Sequence, residues 1–490
     1  MKSYFAVLVF LILLPLIGSI ILRVWALPAR KVAGGIVVAN MLLTVYLLLG
    51  LQADGQYAYA FDLFKIPHTG VSFRLGLDGV SVLMLLLTNA LACFVVLAFS
   101  TRHHLQEAHY YRLTLLMLAA LNGLFTALDG LLFYVFYTAA FVLIYFIWAL
   151  NRRETSTRIA FRFFLHAFLS SLLLLVALLT VHNQLHSEEA GTHSFTWETL
   201  VAAELDTRLA SWVMWSFFAA FAASMSLFPL HSWLPDLFVS APLGGAMLLS
   251  GIVLKMGLYG IVRWMIPLVP EAWHAEVPIL LGITVFGTLY ASLIALKQSD
   301  LKRMLAYSSM AYVGLITVSA LVWNKASLQS CFLQVLAQGI NVVGLLFVAE
   351  TLERRLGSRD LFDMGGLARP APLLATLYFV IVLGAIAAPL TNGFAGEFLL
   401  LNGVWKYHYL LGIAISVNFI LRATYLLRAY GLAVFGPLGS HSSSFKDADR
   451  FETVVLSSIA ALVLILGLLP NWVLMLTDES VNRILGAVQL

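Results

Sequence analysis

The feature that most limits what this chain can become is a succession of apolar runs, each about 20 residues long and nearly free of charge. A run of that kind matches a helix crossing the hydrocarbon core of a bilayer. Windows of about 20 residues give about 14 of them, centred near residues 14, 42, 89, 119, 140, 171, 219, 254, 286, 312, 338, 382, 418 and 464. Of the 490 residues, 61% are hydrophobic and 11% charged; soluble domains carry about 25% charge. The expected fold is all-α and polytopic, one membrane domain with no soluble part. The first run, near Tyr4 to Trp25, lacks a cleavage signature and is expected to stay as a helix. A net charge of +4 offers no basic field for nucleic acid. Cys93 and Cys331 each sit inside an apolar run and fit core thiols, not a disulfide or metal framework.

The cations alternate from loop to loop. Arg23, Arg30 and Lys31 precede the second run, Arg102 and Arg112 the fourth, and Arg152, Arg153, Arg158 and Arg162 follow the fifth. Lys297, Lys302 and Arg303, then Arg354, Arg355, Arg359 and Arg369, then Lys446 and Arg450 continue the series. An even number of spans puts these loops on one face, which the positive-inside rule makes cytoplasmic, with both termini on the other face. The opposite loops carry Glu188, Glu189, Glu198, Glu204, Glu271 and Glu276. All connections are short except the polar stretch Val181–Arg208.

Two runs are interrupted. Pro229 and Pro235 break the seventh, and Ala388-Pro389-Leu390-Thr391-Asn392-Gly393 breaks the twelfth just ahead of Glu397. Proline removes a helix hydrogen bond, and irregular backbone at membrane depth survives only where protein buries it or water lines it. The breaks lie five runs apart, so two blocks of five helices would run in opposite directions. The layout expected is therefore two inverted five-helix repeats, each with a broken helix, as in ion-coupled transporters. The boundaries read are 1–110 for the N-terminal helices, 111–268 and 272–435 for the repeats, and 436–490 for a C-terminal helix. Kinking of tightly packed helices is the simpler alternative.

Lys255 stands in the middle of the run Leu248–Gly260. A cation at mid-membrane costs about 2.5–3.5 kcal/mol on insertion scales. Either it serves ion movement, or carbonyls freed at the adjacent break satisfy it.

The chain also carries Pro229-x-His231-x-Trp233-Leu234-Pro235-Asp236, Ala241-Pro242 and Lys255-x-x-x-Tyr259-Gly260 in order. Leu77-Asp78-Gly79-Val80-Ser81, the segment Ser299 to Ser309, and Gly393-Phe394-x-Gly396-Glu397-Phe398 accompany them. Together these resemble the M-type subunits of NADH:quinone oxidoreductase (respiratory complex I), a family that includes the Mrp sodium/proton antiporter subunits. The resemblance covers nearly the whole chain. It implies a proton-translocating subunit in a bacterial inner membrane, assembled with other membrane subunits such as the antiporter-like L and N types. It also implies a mid-membrane line of ionisable groups, and no flavin, iron–sulfur cluster or quinone in the subunit itself.

Residue by residue, Lys255 and Glu397 match the family's central lysine and distal glutamate. The other positions depart from it. Thr138 stands where the glutamate of the fifth span is expected, Ser224 where the lysine of the seventh is, and Tyr312 and Gln338 where histidines are. A proton wire needs groups that take up and release protons at accessible pH; threonine, serine and glutamine relay only through hydrogen bonds and water. The first half-channel thus reads as neutralised. Three functions stay open: an energy-coupling subunit, a non-pumping structural paralogue, and a membrane subunit of a cation/proton antiporter or inorganic-carbon uptake complex.

Further residues have two readings each. Arg422 either pairs with Glu397 or snorkels to the interface. His166 is a relay or a hydrogen-bonded core histidine. His231 and Asp236 flank the first break and are expected to close exposed backbone groups there. Asp78 and Asp129 read as helix caps, and Asp300, Lys302 and Arg303 as a solvated loop.

Overall fold

The structure, a computed structural model, describes residues 2–25, 27–51, 59–65, 70–98, 107–150, 154–188, 194–436 and 445–488. Arg102, Arg152, Arg153 and Glu189, used above for orientation, lie outside these residues. Eleven helices among those described are long and apolar enough to cross a membrane. Glu107–Thr126, Thr207–Met225 and the broken pair Pro372–Ala385 and Phe394–Tyr407 supply the remaining tracks. The chain is a multi-pass helical membrane protein. Large apolar side chains such as Ile20, Leu42, Leu169 and Ile420 stay exposed on single helix faces, as lipid-facing residues do.

The described residues fall into two compact units, residues 1–225, 253–280 and 476–490 in one, 226–252 and 281–475 in the other. In the first unit, buried amides join the N-terminal helices. Asn89 Nδ2 donates to Thr44 Oγ1 at 3.1 Å and to Asn122 Oδ1 at 3.2 Å, while Asn40 and Asn122 both donate to the carbonyl of Leu11. Away from water such bonds hold helices together where hydrophobicity cannot discriminate between them. The polar stretch expected from Val181 to Arg208 is partly helical: the helix Glu154–Glu188 runs on through Val181. Once a helix is nucleated each added residue gains a hydrogen bond, so polar residues extend it past the apolar run.

One element was not expected. Tyr59–Lys65 and Ser72–Leu77 form an antiparallel hairpin, with Tyr59 opposite Leu77 and Asp62 opposite Arg74. Its end is tied down by Asp129, whose carboxylate accepts from Ser72 N at 2.9 Å and from Leu131 N and Leu132 N at the start of Gly130–Ala149. That capping role is the one read from sequence.

In the second unit, Asp300 caps Leu301–Leu321 and Asn324 caps Lys325–Leu356, which ends at Gly357 in a left-handed conformation with φ 73°. Asp449 and Glu452 form a capping box ahead of Arg450–Leu468. Both expected breaks are present. Ser226 turns at φ 61° before the turn segment that leads to Leu234–Ser240, and Ala387 and Leu390 turn at φ 56° and 69° between Pro372–Ala385 and Phe394–Tyr407. Such values are uncommon for side-chain-bearing residues and mark where each helix is forced to stop.

Candidate functional site

Lys255 lies in the first unit at 0% exposure, within the short α-segment Leu254–Gly260. Five-residue π turns bound that segment on both sides, Leu249–Val253 and Ile261–Met265. Its neighbour Gly257 packs against Thr207–Met225 so closely that a Cβ there would meet Ser224 Oγ at 2.5 Å and the Phe221 carbonyl oxygen at 2.8 Å. Ser224 Oγ donates to that same carbonyl at 2.7 Å. The Ser224 hydroxyl proton is therefore spent on its own helix. Thr138 Oγ1, at the second altered position, is buried with no hydrogen-bond partner among the described residues.

Above Tyr259 the same track carries an ion pair that sequence reasoning missed. Arg263 Nη1 lies 2.9 Å from Asp78 Oδ2, both side chains buried. Asp78 Oδ1 accepts from Ser81 N at 2.8 Å, so this residue is both cap and counter-ion. Tyr259 OH sits 3.2 Å from Ser81 Oγ, and Trp197 Nε1 donates to the Arg263 carbonyl at 2.7 Å. The two partners are 185 positions apart, and only the presence of an arginine inside an apolar track signals them.

His166 does not join these groups. It is half-buried, with Nδ1 2.8 Å from the Arg162 carbonyl oxygen of its own helix.

In the second unit, Glu397 occupies the first turn of Phe394–Tyr407, directly after the break. Arg422, from Tyr409–Val434, donates to its carboxylate through Nη2, and both are buried. The salt-bridge reading of Arg422 holds and the snorkelling one does not. The guanidinium also lies 4.7 Å over the ring of Tyr312, a cation–π contact. Gln338 faces a cavity of ≈20 Å³ that Tyr312 also lines.

His231 and Asp236 part company. The His231 ring stacks on Phe228 and meets Tyr290 edge-on, with centroids 5.8 and 5.4 Å away. Asp236 reaches instead to Arg303, whose Nη2 lies 3.0 Å from Oδ1. A carboxylate close to a guanidinium gains more from that charge than from backbone groups already in a short helix.

Lys302 is not solvated. It is 4% exposed and its Nζ lies 2.8 Å from Glu350 Oε2 and 2.5 Å from Glu353 Oε2. The loop reading fails because Asp300 starts the helix one residue earlier and carries Lys302 inward. Glu350 is itself only 3% exposed.

The comparisons agree with this architecture. The family model for the transmembrane part of NADH:quinone oxidoreductase and Mrp antiporters matches residues 127–421. NADH-quinone oxidoreductase subunit M of Rickettsia typhi (strain ATCC VR-144 / Wilmington) is 31% identical over 452 residues, 91% of this chain and 90% of that protein. A chain of respiratory complex I from Thermus thermophilus with bound NADH is similar with a TM-score of 0.90 and 29% identity, covering 99% of this chain and 100% of that one. A chain of the Mrp complex from Dietzia sp. DQ12-45-1b shares the fold, at TM-score 0.82 and 19% identity, over 99% of this chain and 52% of that one. The chain belongs to the NADH:quinone oxidoreductase/Mrp antiporter transmembrane family.

Proposed function

We propose that this chain is an antiporter-like membrane-arm subunit of a complex-I-like NADH:quinone oxidoreductase. It moves protons through Lys255 and Glu397 while electron transfer takes place in other subunits. The observation that carries the reading is Lys255, wholly buried in an apolar helix between two π turns. An ionisable lysine buried at that depth is held at a cost that a passive scaffold has no reason to bear. Two inverted repeats, 111–268 and 272–435, supply one half-path each, and L- and N-type subunits are the neighbours expected in a bacterial inner membrane. Both termini lie on the non-cytoplasmic face.

The loss of the first charge pair favours a second reading, a structural paralogue. Ser224 is tied to its own helix and Thr138 has no acid to offer. One measurement separates the two. In inverted membrane vesicles holding the intact complex, Lys255→Ala abolishes NADH-driven proton uptake while the complex still assembles. Uptake unchanged from wild type would leave only the structural reading.

A further inference from the structure

The second unit contains a line of polar groups that continues from Tyr312 and Gln338 to Lys302, a residue outside the matched positions. Along Leu301–Leu321, Lys302, Leu305, Ser309 and Tyr312 follow at steps of three and four residues and so share one face. At one end Lys302 holds Glu350 and Glu353. The Glu353 side chain is 26% exposed and touches solvent, whereas Glu350 does not. Two carboxylates share one ammonium, so the trio can carry one exchangeable proton between water and the interior. The nearby arginines are engaged by other acids. Arg354 and Arg355 hold Glu452, Arg303 holds Asp236, and Arg359 lies 3.4 Å from Asp300.

About two turns further along this face, roughly 10 Å at 1.5 Å per residue, lies the ≈20 Å³ cavity. Ser308, Ser309, Tyr312, Gln338 and Asn341 supply its polar wall, and Leu305 also lines it, one turn from Lys302. Ser309 Oγ and Gln338 Oε1 are buried and have no hydrogen-bond partner among the described residues, and Tyr312 lines the cavity beside them. A cavity of more than about 10–15 Å³ with two to four polar partners holds one water. Beyond it, the Tyr312 ring lies under Arg422, and Arg422 holds Glu397.

We propose that Ser309, Tyr312 and Gln338 bind one water in this cavity, and that this water relays protons between Glu397 and the Lys302–Glu350–Glu353 cluster, with Leu305 as the apolar plug. The water site stands on its own geometry; its relay role rests on the proton-translocating reading above. The second unit then has its own access to the face that bears Lys302, independent of Thr138 and Ser224. When Leu305 turns aside, a short file of water joins the cluster to the cavity. A Glu350 O–H bond breaks as an O–H bond forms on the nearest water, and the excess proton passes along the file. The cavity water then gives a proton to the Glu397 carboxylate, which becomes neutral and releases Arg422. Lys302 keeps its three N–H bonds throughout.

The test uses the intact complex. High-resolution cryo-electron microscopy of the wild type is expected to show one ordered density within hydrogen-bonding distance of Ser309, Tyr312 and Gln338, and Ser309→Ala with Gln338→Leu is expected to remove it. A wild-type cavity without that density overturns the water site. In vesicles, Glu350→Gln and Gln338→Met each lose NADH-driven proton uptake while NADH oxidation by the assembled complex continues; Gln338→Met keeps the core volume should Glu350→Gln not assemble. Uptake that is lost in Lys255→Ala but intact in both variants overturns the relay and spares the broader function. Uptake intact in all three overturns both.

Discussion

Arg422 Nη2 donates to Glu397 Oε1 between two helices of the second unit, the acid at the start of one and the guanidinium partway along the other. The acid matched from sequence as a proton carrier is thus held by a base that does not give up its own proton. Removing one partner of a buried pair leaves the other uncompensated and costs about 3–5 kcal/mol, whereas replacing both is often neutral. Arg422→Met alone should therefore lower the thermal midpoint of the complex, and Arg422→Met with Glu397→Gln should recover most of it. Equal losses in the single and double variants would mean that the pair contributes through packing alone.

Gly257 marks the closest approach to Ser224 and the Phe221 carbonyl. A methyl group there overpacks the contact, which typically costs about 1–3 kcal/mol. Gly257→Ala is expected to reduce assembled complex on a native gel. Combining it with Ser224→Gly clears the hydroxyl but not the backbone oxygen, so rescue should be partial. Full assembly of Gly257→Ala would show that the two helices can part freely.

Restoring charge at the altered positions asks whether the first half-path is merely neutral. Thr138→Glu with Ser224→Lys should raise the ratio of protons taken up to NADH oxidised. The lysine must turn away from Gly257, where there is no room for it. A ratio identical to wild type would point to a closed path and not to a missing charge.

Asp447 offers a pH signature outside the membrane spans. Burial alone would push its carboxyl up, but the N–H groups of Leu374, Ala448 and Leu373, together with Arg355, outweigh burial and hold it below the usual carboxylate range. A depressed folded value means that stability is present above the unfolded value, about 3.9, and is lost as pH falls through the folded one. Such caps contribute about 0.5–2 kcal/mol, and this one belongs at the lower end because the residue is half-buried. Asp447→Asn should melt earlier than wild type at neutral pH and converge with it once the pH falls below the depressed folded value. Melting curves that stay parallel down to that pH would remove the carboxylate from the account.

The span pattern, both broken helices and the burial of Lys255 were legible because each rests on local chemistry: run length, proline, and a lysine set inside an apolar run. Lys302 was misread for the same reason. Its local context, Asp300-Leu301-Lys302-Arg303, is that of a solvated loop, and the acids that draw it inward lie 48 and 51 positions away (350 − 302 and 353 − 302). The Asp78–Arg263 pair and the Asn89 cluster were hidden likewise, since pairing is a tertiary property. The hairpin at Tyr59–Leu77 left little signal because two short strands lack the run length that dominates everything else here.

The π turns on either side of Lys255 carry a consequence for rotation. Each wide turn holds one residue more than the α-helix would, and one residue corresponds to about 100° of azimuth. A track wound evenly from Leu243 would point the ammonium roughly a quarter-turn or more from its present bearing. If the extra residue migrates past position 255, the lysine swivels by that angle while the helix keeps nearly all its backbone bonds. The segment can therefore act as a spindle, redirecting one charge without unwinding around it.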